Sequence, residues 1–550
     1  MKVVIIGGVA GGASTATRLK RNDSNTEIVI FERGENISFA NCGLPYYVGD
    51  EIKNRSNLIL QTPVSFKNRH DVDVRNFSEV VKINKDLKTV TVKNSATNET
   101  YEESYDKLVI STGAKPIIPQ IFGIENVSND KIFTLRTVED AVNIKNFIKE
   151  NEVKNAVVVG GGFIGIEILE NLIKTKISVI LVERGDFVIP PMDKDLSVQV
   201  EKYIKHSGAR ILLNSTMERI SEINDKLKLE VGEREIFTDM LILATGITPE
   251  SDLAKESGIK TNARDAICVN EYLETSEKDI YALGDVIEIE NFVTKQKDYI
   301  PLAGPANRQG RIVADNITGD KKTYKGSQGS SIIKIFDLTV AATGVNERTA
   351  AEKGLNYDKI YFVGKSHAEY YPNFSNMVVK ILFEKETGKI LGGQFFGEDG
   401  VDKRADVLAT IIRLNGSAYD LAELELCYAP PYNSAKDPLN IAGFMILNIL
   451  EGKVKQIHWH DVKDLPRDGS VNLIDVRNEF EFGVGKIDGF KNIPLDVLTE
   501  RLDEIDKTKP VYINCFTGQR SYSACRLLAS KGYDCYNLAG GYKIYKSFGK

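Results

Sequence analysis

The sequence predicts an α/β protein of four domains, and three observations lead to this class. A strand, a glycine-rich turn and a helix follow one another twice, once at the N-terminus and once near residue 157. From about residue 326 several strands precede the helices, and beyond residue 453 strands and helices alternate again. The chain has 550 residues, which is too long for a single hydrophobic core.

The first repeat starts at the N-terminus. Val3–Ile6 reads as a short buried strand, and the glycine-rich turn 7–12 opens a helix that runs to about Arg21. Ile28–Phe31 is the next strand, and it ends at the acidic residue Glu32. This order of elements is typical of a βαβ unit.

The second repeat has the same order. Val157–Val159 is the strand, and a complete G-x-G-x-x-G turn follows with Gly160, Gly162 and Gly165. After the helix, a strand ends at Glu183. Two Rossmann-like units, each closed by an acid, predict two dinucleotide sites.

The residues of these turns suit a dinucleotide. Glycines such as Gly7 and Gly12 let the backbone approach a pyrophosphate, which the helix N-terminus attracts, and Glu32 would bind a ribose hydroxyl. The first turn is the looser match because Val9 replaces its middle glycine. Glycine-rich turns also occur for packing alone, but the acid that follows both copies favours the nucleotide interpretation.

Two more segments indicate a flavin partner. Asp285 lies on a turn after a strand, where it could hold the ribityl hydroxyls of FAD, or simply cap the next helix. Two Thr-Gly turns, at 112–113 and 245–246, follow strands and mark crossings between domains. We therefore expect a discontinuous FAD-binding domain over 1–112 and 245–325, and an NAD(P)H-binding domain over 113–244.

The acid at the end of the second repeat also bears on the nicotinamide. A carboxylate at Glu183 accepts a ribose 2′-hydroxyl and repels a 2′-phosphate, so NADH is favoured. Arg184 follows directly and leaves room for NADPH.

Composition excludes several classes of protein. A net charge of −6 argues against general nucleic-acid binding, and no run of 18 apolar residues predicts a membrane span. Six widely spaced cysteines do not form a disulfide framework and indicate a reducing, cytoplasmic setting. The five histidines form no pattern typical of a metal site.

Cys42 is the first cysteine with a chemical context. It follows the first nucleotide turn closely, but position 47 is a tyrosine and the next cysteine is Cys268. A local disulfide is therefore excluded, and Cys42 would act as a thiolate, a sulfenic acid or a mixed disulfide with a small thiol. The alternative is a buried structural cysteine, which the polar neighbours Ser38 and Asn41 disfavour.

The segment 38–47, SFANCGLPYY, resembles the coenzyme A disulfide reductases, which belong to the FAD-dependent pyridine nucleotide-disulfide reductases. The resemblance extends to about residue 452. It implies FAD, NADH and coenzyme A as ligands, and a homodimer built through the α+β domain 326–452. It also implies that Cys42 is the redox-active nucleophile, held as a disulfide with CoA, and that Ser38 and Asn41 contact the CoA.

The resemblance also supplies an acid for the leaving thiolate. Glutathione-type enzymes use a histidine near the C-terminus, and the matching stretch 427–432 has none. Coenzyme A disulfide reductases use two tyrosines of the other subunit, which match Tyr428 and Tyr370, with Tyr371 as an alternative to Tyr370. From the residues alone these tyrosines would be packing residues.

CoA carries several phosphates, so cations are expected near it. Arg18 and Arg21 are three residues apart on the first helix and share one face. Ser14 on the same helix and Lys436 after the Tyr428 segment complete the set that the resemblance assigns to CoA. Taken without it, these charges would be solvated surface groups.

Cys515 is the second cysteine with a context. It follows a strand and heads a loop that contains Gly518 and ends at Arg520, before a helix rich in small residues. Inward-pointing amides at a helix N-terminus would stabilise a thiolate or a persulfide. The residues 453–550 resemble a single rhodanese domain, with Lys486 where that family often has histidine.

Three functions are open at this point. The leading hypothesis is an NAD(P)H-dependent flavoprotein that reduces CoA disulfide, CoA persulfide or polysulfide at Cys42, with sulfur transfer at Cys515. An NADH oxidase or peroxidase is the alternative, although the histidine that such enzymes place on the first helix is absent before His70. The third is a redox-sensing or scaffold protein whose C-terminal module docks a partner.

Overall fold

The computed structural model describes residues 1–548 and divides into two compact units. The first unit comprises Met1–Ile189 and Lys205–Ser327, and the second comprises Pro190–Ile204 and the described residues from Gln328 onward. The last two residues of the predicted domain 453–550 lie outside the described part. Among residues 1–548 no helix is long and apolar enough to cross a membrane, and no group of three or more potential metal ligands occurs.

The first unit begins with the elements of the first repeat. Its first ten elements are β1 (Lys2–Ile6), α1 (Ala10–Asn22), β2 (Glu27–Phe31), α2 (Leu44–Val48), α3 (Pro63–His70), β3 (Asp73–Arg75), β4 (Ser78–Asn84), β5 (Thr89–Asn94), β6 (Thr100–Ser104) and β7 (Lys107–Ile110). The predicted strand–turn–helix–strand order is confirmed.

The second repeat follows, and the chain then returns to the first sheet. These elements are β8 (Ala114–Pro116), β9 (Ile132–Phe133), α4 (Val138–Glu150), β10 (Asn155–Val159), α5 (Phe163–Lys174), β11 (Ser178–Val182), α6 (Lys194–His206), β12 (Arg210–Leu212), β13 (Met217–Ile223), β14 (Lys226–Val231), β15 (Arg234–Thr238), β16 (Met240–Leu243), β17 (Ile247–Pro249), α7 (Asp252–Glu256), β18 (Ile280–Ala282), β19 (Ile289–Glu290), β20 (Lys297–Asp298) and α8 (Ala303–Ile317).

Each repeat builds a five-stranded sheet. The first has the order β18-β7-β1-β2-β3 and the second the order β12-β11-β10-β16-β9, and all pairs in both are parallel. Their central strands are almost continuous runs of buried Val and Ile because a parallel sheet is covered on both faces. Antiparallel three-stranded sheets, β4-β5-β6 and β13-β14-β15, accompany them.

The second unit contains an antiparallel sheet with helices. Its elements up to residue 450 are β21 (Ser331–Ile335), β22 (Leu338–Gly344), α9 (Glu347–Glu352), β23 (Tyr357–Lys365), β24 (Asn376–Glu384), β25 (Ile390–Gly397), α10 (Val401–Arg413), α11 (Ala418–Glu423) and α12 (Pro438–Leu450). The strand order is β21-β22-β25-β24-β23. Apart from α9, the strands precede the helices, which makes this the predicted α+β architecture.

The C-terminal part is a small parallel α/β fold. Its elements are β26 (Lys455–Ile457), β27 (Asn472–Asp475), α13 (Glu479–Val484), β28 (Lys491–Asn492), β29 (Val511–Asn514), α14 (Gln519–Ser530), β30 (Cys535–Leu538) and α15 (Gly541–Phe548). The five strands pair in the order β26-β30-β29-β27-β28. Cys525 and Cys535 lie in its apolar core.

A buried ion cluster holds the segment 190–204 in the second unit. The fully buried ammonium of Lys380 on β24 lies 2.7 Å from Asp193 and 2.9 Å from both Asp195 and Glu347. Burial lowers the pKa of Lys380, but these carboxylates outweigh burial and raise it, so the lysine stays charged. A cluster of this kind fixes one arrangement, since losing any partner would leave an uncompensated buried charge.

The C-terminal α/β fold docks on the antiparallel sheet within the same unit. Asp358 on β23 accepts a hydrogen bond from Gln456 at 3.0 Å, and its other oxygen lies 2.9 Å from Nε2 of His458. Gln456 also donates to the Lys359 carbonyl at 2.8 Å. The contact is polar and directional, so it sets the orientation of the C-terminal fold on this sheet.

Candidate active sites

The turn after β1 is shaped for close backbone contact. Gly7 has a φ of +98°, and a Cβ on it would lie 2.2 Å from the Ser111 carbonyl oxygen. A Cβ on Gly12 would lie 1.9 Å from the Gly7 carbonyl oxygen, so helix α1 can approach the turn only with glycine there. The helix begins after Val9, which offers no side-chain cap. The first N–H groups of α1 therefore suit a pyrophosphate.

The turn after β10 repeats this geometry. Gly160 has a φ of +112°, and a Cβ on Gly165 would lie 1.9 Å from the Gly160 carbonyl oxygen. No heavy atom lies within 4 Å of a Cβ built on Gly162, which leaves room beside the helix start. These residues fit the second predicted dinucleotide.

The two acids that close the repeats also match each other. Glu32 accepts hydrogen bonds from the N–H groups of Gly8 at 3.0 Å and Gly34 at 2.9 Å. Glu183 accepts from Gly161 at 2.6 Å and Gly185 at 2.5 Å. Each carboxylate therefore stands at the mouth of its glycine turn, where a ribose would lie. Arg184 is exposed beside the second of them.

Asp285 lies on a short turn after β18, as predicted, but it has a partner that the sequence did not indicate. Arg136 donates to its carboxylate at 2.9 Å, and the Tyr299 hydroxyl donates to its carbonyl at 2.8 Å. The nearest sequence signal for Arg136 was only a charge before helix α4. The ion pair fixes the carboxylate at the edge of the first sheet.

Cys42 lies in a helical turn, Asn41–Gly43, that leads directly into α2. Ser38 precedes it with a φ of 45°, a left-handed conformation that non-glycine residues rarely adopt and that often marks functional loops. The Cys42 thiol is exposed, yet the surrounding protein is dense enough for desolvation to raise its pKa, and Glu167 raises it further. Arg136 acts in the opposite direction.

Glu167 and Tyr46 are residues of this site that sequence reasoning missed. Glu167 lies on α5, and the Tyr46 hydroxyl from α2 is 3.5 Å from its Oε1 atom. Burial raises the pKa of Glu167 to about 7, although the contact with Tyr46 opposes this. A carboxyl group that titrates near neutral pH therefore lies close enough to influence the Cys42 thiol.

The three residues of α1 assigned to CoA have different settings. The Ser14 hydroxyl donates to Asn307 at 2.5 Å, and Arg18 donates through Nε to Asp315 at 2.6 Å. Arg21 is exposed. Helix α8, which carries Asn307 and Asp315, thus packs on α1 and orients these side chains. Lys436 is exposed in the second unit.

The predicted tyrosines meet in the second unit. The hydroxyl groups of Tyr370 and Tyr428 lie 2.7 Å apart, although 58 residues separate them in the chain. The two residues are 74% and 48% exposed, so the pair is accessible. Tyr371 instead packs its ring edge-on against His367. The geometry therefore pairs Tyr370, rather than Tyr371, with Tyr428.

A buried arginine supports the Tyr428 loop. Arg404 on α10 donates through Nε to Asp437 at 3.1 Å and through Nη2 to Asn433 at 2.7 Å. Asn433 in turn donates to the Cys427 carbonyl at 3.3 Å. All three side chains are almost completely buried. The loop that presents Tyr428 and Lys436 is therefore anchored by charge-assisted hydrogen bonds.

Cys515 is held very differently from Cys42. It is completely buried at the end of β29, and its Sγ accepts from the Gly518 N–H at 3.1 Å and the Ser521 hydroxyl at 3.3 Å. Helix α14 begins at Gln519, so its N-terminus lies at the loop. These donors would stabilise negative charge on the sulfur, as predicted from the loop sequence.

Arg520, at the end of the Cys515 loop, forms an ion pair with an acidic residue. It donates to both oxygens of Glu481 on α13, at 2.6 and 2.7 Å. Glu481 was not selected from the sequence because 39 residues separate it from Arg520. This ion pair lowers the pKa of Glu481 and raises that of Arg520.

Comparison with known proteins agrees with this architecture. Residues 1–310 match the pyridine nucleotide-disulphide oxidoreductase family, 330–438 match the dimerisation domain of the same family, and 458–547 match the rhodanese-like domain. The chain is 36% identical to a coenzyme A disulfide reductase of Staphylococcus epidermidis over 445 residues, which cover 80% of this chain and 99% of that protein.

Two solved structures extend over nearly the whole chain. One is reduced CoADR-RHD of Bacillus anthracis, with 48% identity, a TM-score of 0.96, and coverage of 99% of this chain and 98% of the other. The second is an NAD-dependent persulfide reductase from A. fulgidus, with 36% identity, a TM-score of 0.91, and coverage of 99% and 100%.

The chain is thus an oxidoreductase with two nucleotide-binding folds and a sulfurtransferase-type module. More narrowly, it belongs to the pyridine nucleotide-disulphide oxidoreductase family, and its C-terminal part is a rhodanese domain. The predicted family and fold class are confirmed. The family implies FAD and NAD(P)H as cofactors, which the two glycine turns fit.

Proposed function

We propose that this protein is an NAD(P)H-dependent flavoprotein that reduces CoA disulfide, CoA persulfide or polysulfide, and that its rhodanese domain transfers sulfur at Cys515. The observation that carries the proposal is the setting of Cys42. It is an exposed free thiol directly after the first nucleotide turn, and Tyr47 stands where a dithiol reductase has its second cysteine. A thiol in that setting needs a small-molecule thiol as its partner.

In this proposal Cys42 forms a mixed disulfide with CoA. FAD, when bound, supplies the electron pair that splits this disulfide. Cys42 is then a thiolate, and the departing CoA sulfur takes a proton from the Tyr370–Tyr428 pair, which would act from the other subunit of a homodimer. The Cys42 thiolate attacks one sulfur of the next CoA disulfide, which restores the mixed disulfide and releases the other half as a CoA thiolate. With CoA persulfide, attack on the outer sulfur gives a Cys42 persulfide and likewise releases a CoA thiolate.

The CoA would be held at its polar positions by residues around Cys42 and on α1. Ser38 and Asn41 lie near the thiol in the chain, and Arg18 and Arg21 would bind the phosphates. Asp315 orients the Arg18 guanidinium, which gives that arginine a fixed direction. Lys436, on the loop that carries Tyr428, would add a further cation for the CoA phosphates.

NADH is the proposed reductant, because the Glu183 carboxylate at the second turn favours a 2′-hydroxyl over a 2′-phosphate. The ratio of kcat/KM for NADH to kcat/KM for NADPH measures this preference. It should exceed one in the native protein and fall in E183A, whereas a native preference for NADPH would contradict the assignment.

The fusion with a rhodanese domain favours persulfide as the physiological acceptor. Cys515 would collect sulfane sulfur and pass it to CoA or to the Cys42 site, in a cytoplasmic enzyme. The oxidase or peroxidase alternative has less support, since α1 carries Ala10, Gly11 and Gly12 where such enzymes place a histidine beside the sulfur.

Intact mass spectrometry tests the mixed disulfide directly. The purified protein should lose the mass of one CoA per chain on reduction, and C42S should never carry that mass. An unmodified Cys42 together with faster turnover of hydrogen peroxide than of CoA disulfide would favour the oxidase alternative.

A further inference from the structure

Arg520, the last residue of the Cys515 loop, is paired with an acidic side chain. Both terminal nitrogens of Arg520 bind the two oxygens of Glu481, at 2.7 and 2.6 Å. This bidentate geometry is the strongest form of an arginine–carboxylate contact. The pair is partly exposed, with side-chain exposures of 37% and 27%, so it lies where a substrate can approach.

The position of Glu481 is fixed by its own helix. Glu481 is the third residue of α13, its N–H donates to the Asn478 side chain at 2.8 Å, and its carboxylate accepts from the Asn478 N–H at 3.2 Å. This capping box fixes the position of the Glu481 carboxylate independently of Arg520. The ion pair is therefore a built feature rather than a chance contact between two long side chains.

The second arginine in this region is neutralised in the same way. Arg477 is buried and donates to both oxygens of Asp475, at 2.7 to 3.0 Å, and also to the Glu481 and Gly485 carbonyls. The backbone N–H of Lys543, on α15, donates to the Phe516 carbonyl at 2.8 Å. Burial lowers the pKa of the Lys543 ammonium.

The hydrogen-bond donors around the Cys515 sulfur suit a single negative charge on that sulfur. The Gly518 N–H, the Ser521 hydroxyl and the start of α14 surround the sulfur and suit a thiolate or a terminal persulfide. A dianionic sulfur donor such as thiosulfate brings two further charges, and binding it would require cations that no acid has already neutralised.

We propose that Glu481 determines the sulfur donor of the rhodanese site: by neutralising Arg520, it makes Cys515 accept sulfur from a hydropersulfide with a single charge at its sulfur rather than from dianionic thiosulfate. This inference rests on the proposed sulfurtransferase role of Cys515.

In the transfer step, the Cys515 thiolate attacks the outer sulfur of R–S–SH and a new S–S bond forms. The S–S bond of R–S–SH breaks, and R–S⁻ leaves and takes the proton of the transferred sulfur, so no electrons are gained or lost overall.

The test measures cyanide-dependent thiocyanate formation by the full-length protein with two donors, thiosulfate and pantetheine persulfide, whose organic arm is uncharged. E481Q restores the charge of Arg520 and should lower the KM for thiosulfate by about tenfold, as expected for one unscreened charge facing a dianion. The KM for pantetheine persulfide should change less than about twofold, because its charge is smaller and its arm is neutral.

The matched control is E479Q, which removes the same charge from the same helical turn. Glu479 is exposed at the first position of α13, so neither donor should respond to its substitution. Equal effects of E479Q and E481Q on thiosulfate would mean that general surface charge, and not the ion pair, sets the preference, and would overturn the inference.

Substitutions of Arg520 complete the design. R520Q leaves the Glu481 carboxylate unpaired and should raise the KM for thiosulfate above that of the native protein, while the double variant E481Q/R520Q should return it close to the native value. An unchanged thiosulfate KM in E481Q, measured on protein whose Tm shows it is folded, would overturn the inference.

C515S distinguishes this inference from the proposed function. If C515S abolishes transfer from both donors, the sulfurtransferase role stands and the Glu481 variants decide the inference alone. If C515S retains transfer, the proposed role of Cys515 fails, whatever the Glu481 variants do.

Discussion

The two sulfur sites of this chain differ in how negative charge on the cysteine sulfur is stabilised. Cys42 is exposed, and desolvation and Glu167 raise the pKa of its thiol more than Arg136 lowers it. Cys515 is fully buried, and its own loop gives its sulfur two hydrogen-bond donors and a helix N-terminus. The loop of Cys515 supplies the stabilisation of a thiolate, whereas at Cys42 that stabilisation depends on the small molecules bound beside the thiol.

The largest expected effect comes from separating the two thiols. C42S should reduce NADH-dependent turnover of CoA disulfide by at least about a thousandfold, because the nucleophile of the reaction is lost. Sulfur transfer from a persulfide to cyanide should continue at the native rate, since it uses Cys515. Steady-state assays of both reactions on one protein preparation measure this division.

C427S is the matched control for C42S. Cys427 is also an exposed free thiol, and it precedes Tyr428. Both activities should survive its substitution. Loss of CoA-disulfide turnover in C427S would show that a second thiol takes part and would break the contrast between the sites.

The tyrosine pair comes next in size. Y370F and Y428F should each lower kcat for CoA disulfide by about a hundredfold or more, the usual effect of losing a general acid. The double variant should be little worse than either single one, because the two hydroxyls lie 2.7 Å apart and act together. Y371F, with its ring against His367, is the control and should be near native.

The acidic surroundings of Cys42 predict a pH effect of moderate size. E167Q should lower the pKa of the Cys42 thiol, because the carboxylate that repels the thiolate is removed. The rate of Cys42 alkylation by iodoacetamide against pH, followed at the peptide level by mass spectrometry, reports this shift without any turnover. An unchanged alkylation profile would remove Glu167 from the site.

The same variant should also change stability with a defined sign. Folding raises the pKa of Glu167 from 4.5 to about 7, so the folded protein holds a proton that the unfolded chain releases between these values. The contribution of Glu167 to stability therefore falls as the pH rises from about 4.5 to 7. The difference between the Tm of E167Q and the Tm of the native protein should therefore shift in favour of E167Q as the pH rises through this range.

The smallest effect concerns the donors of Cys515. S521A removes one of two hydrogen bonds to the sulfur and should slow persulfide transfer by less than about tenfold, the equivalent of one typical hydrogen bond of about 1 kcal/mol. S523A, on the exposed side of the same helix, is the control. An effect of S521A as large as that of C515S would mean that the hydroxyl takes part in the chemistry itself.

Local patterns in the sequence were sufficient for much of the fold. Gly7, Gly12 and Glu32 lie within one βαβ unit, so strand periodicity and glycine spacing identify them without any knowledge of distant residues. The Cys515 loop is equally local. The sulfur, the amide that binds it and the helix behind them follow one another directly.

The missed residues act over long sequence separations. Arg136 and Asp285 are 149 residues apart, and Tyr46 and Glu167 are 121 apart. No periodicity in either segment indicates such a partner, because the pairing depends on how whole elements pack. Arg404 and the segment 190–204 belong to the same category, since a buried charge in a sequence looks like any surface charge.

The cluster around Lys380 has a consequence for heating. The cost of keeping charged groups out of water falls as temperature rises, because the hydration of ions carries a strongly negative entropy. The contacts of Asp193 and Asp195 with Lys380 should therefore weaken less on heating than the apolar packing nearby. When the protein is warmed, the segment 190–204 should stay with its sheet until that sheet itself melts.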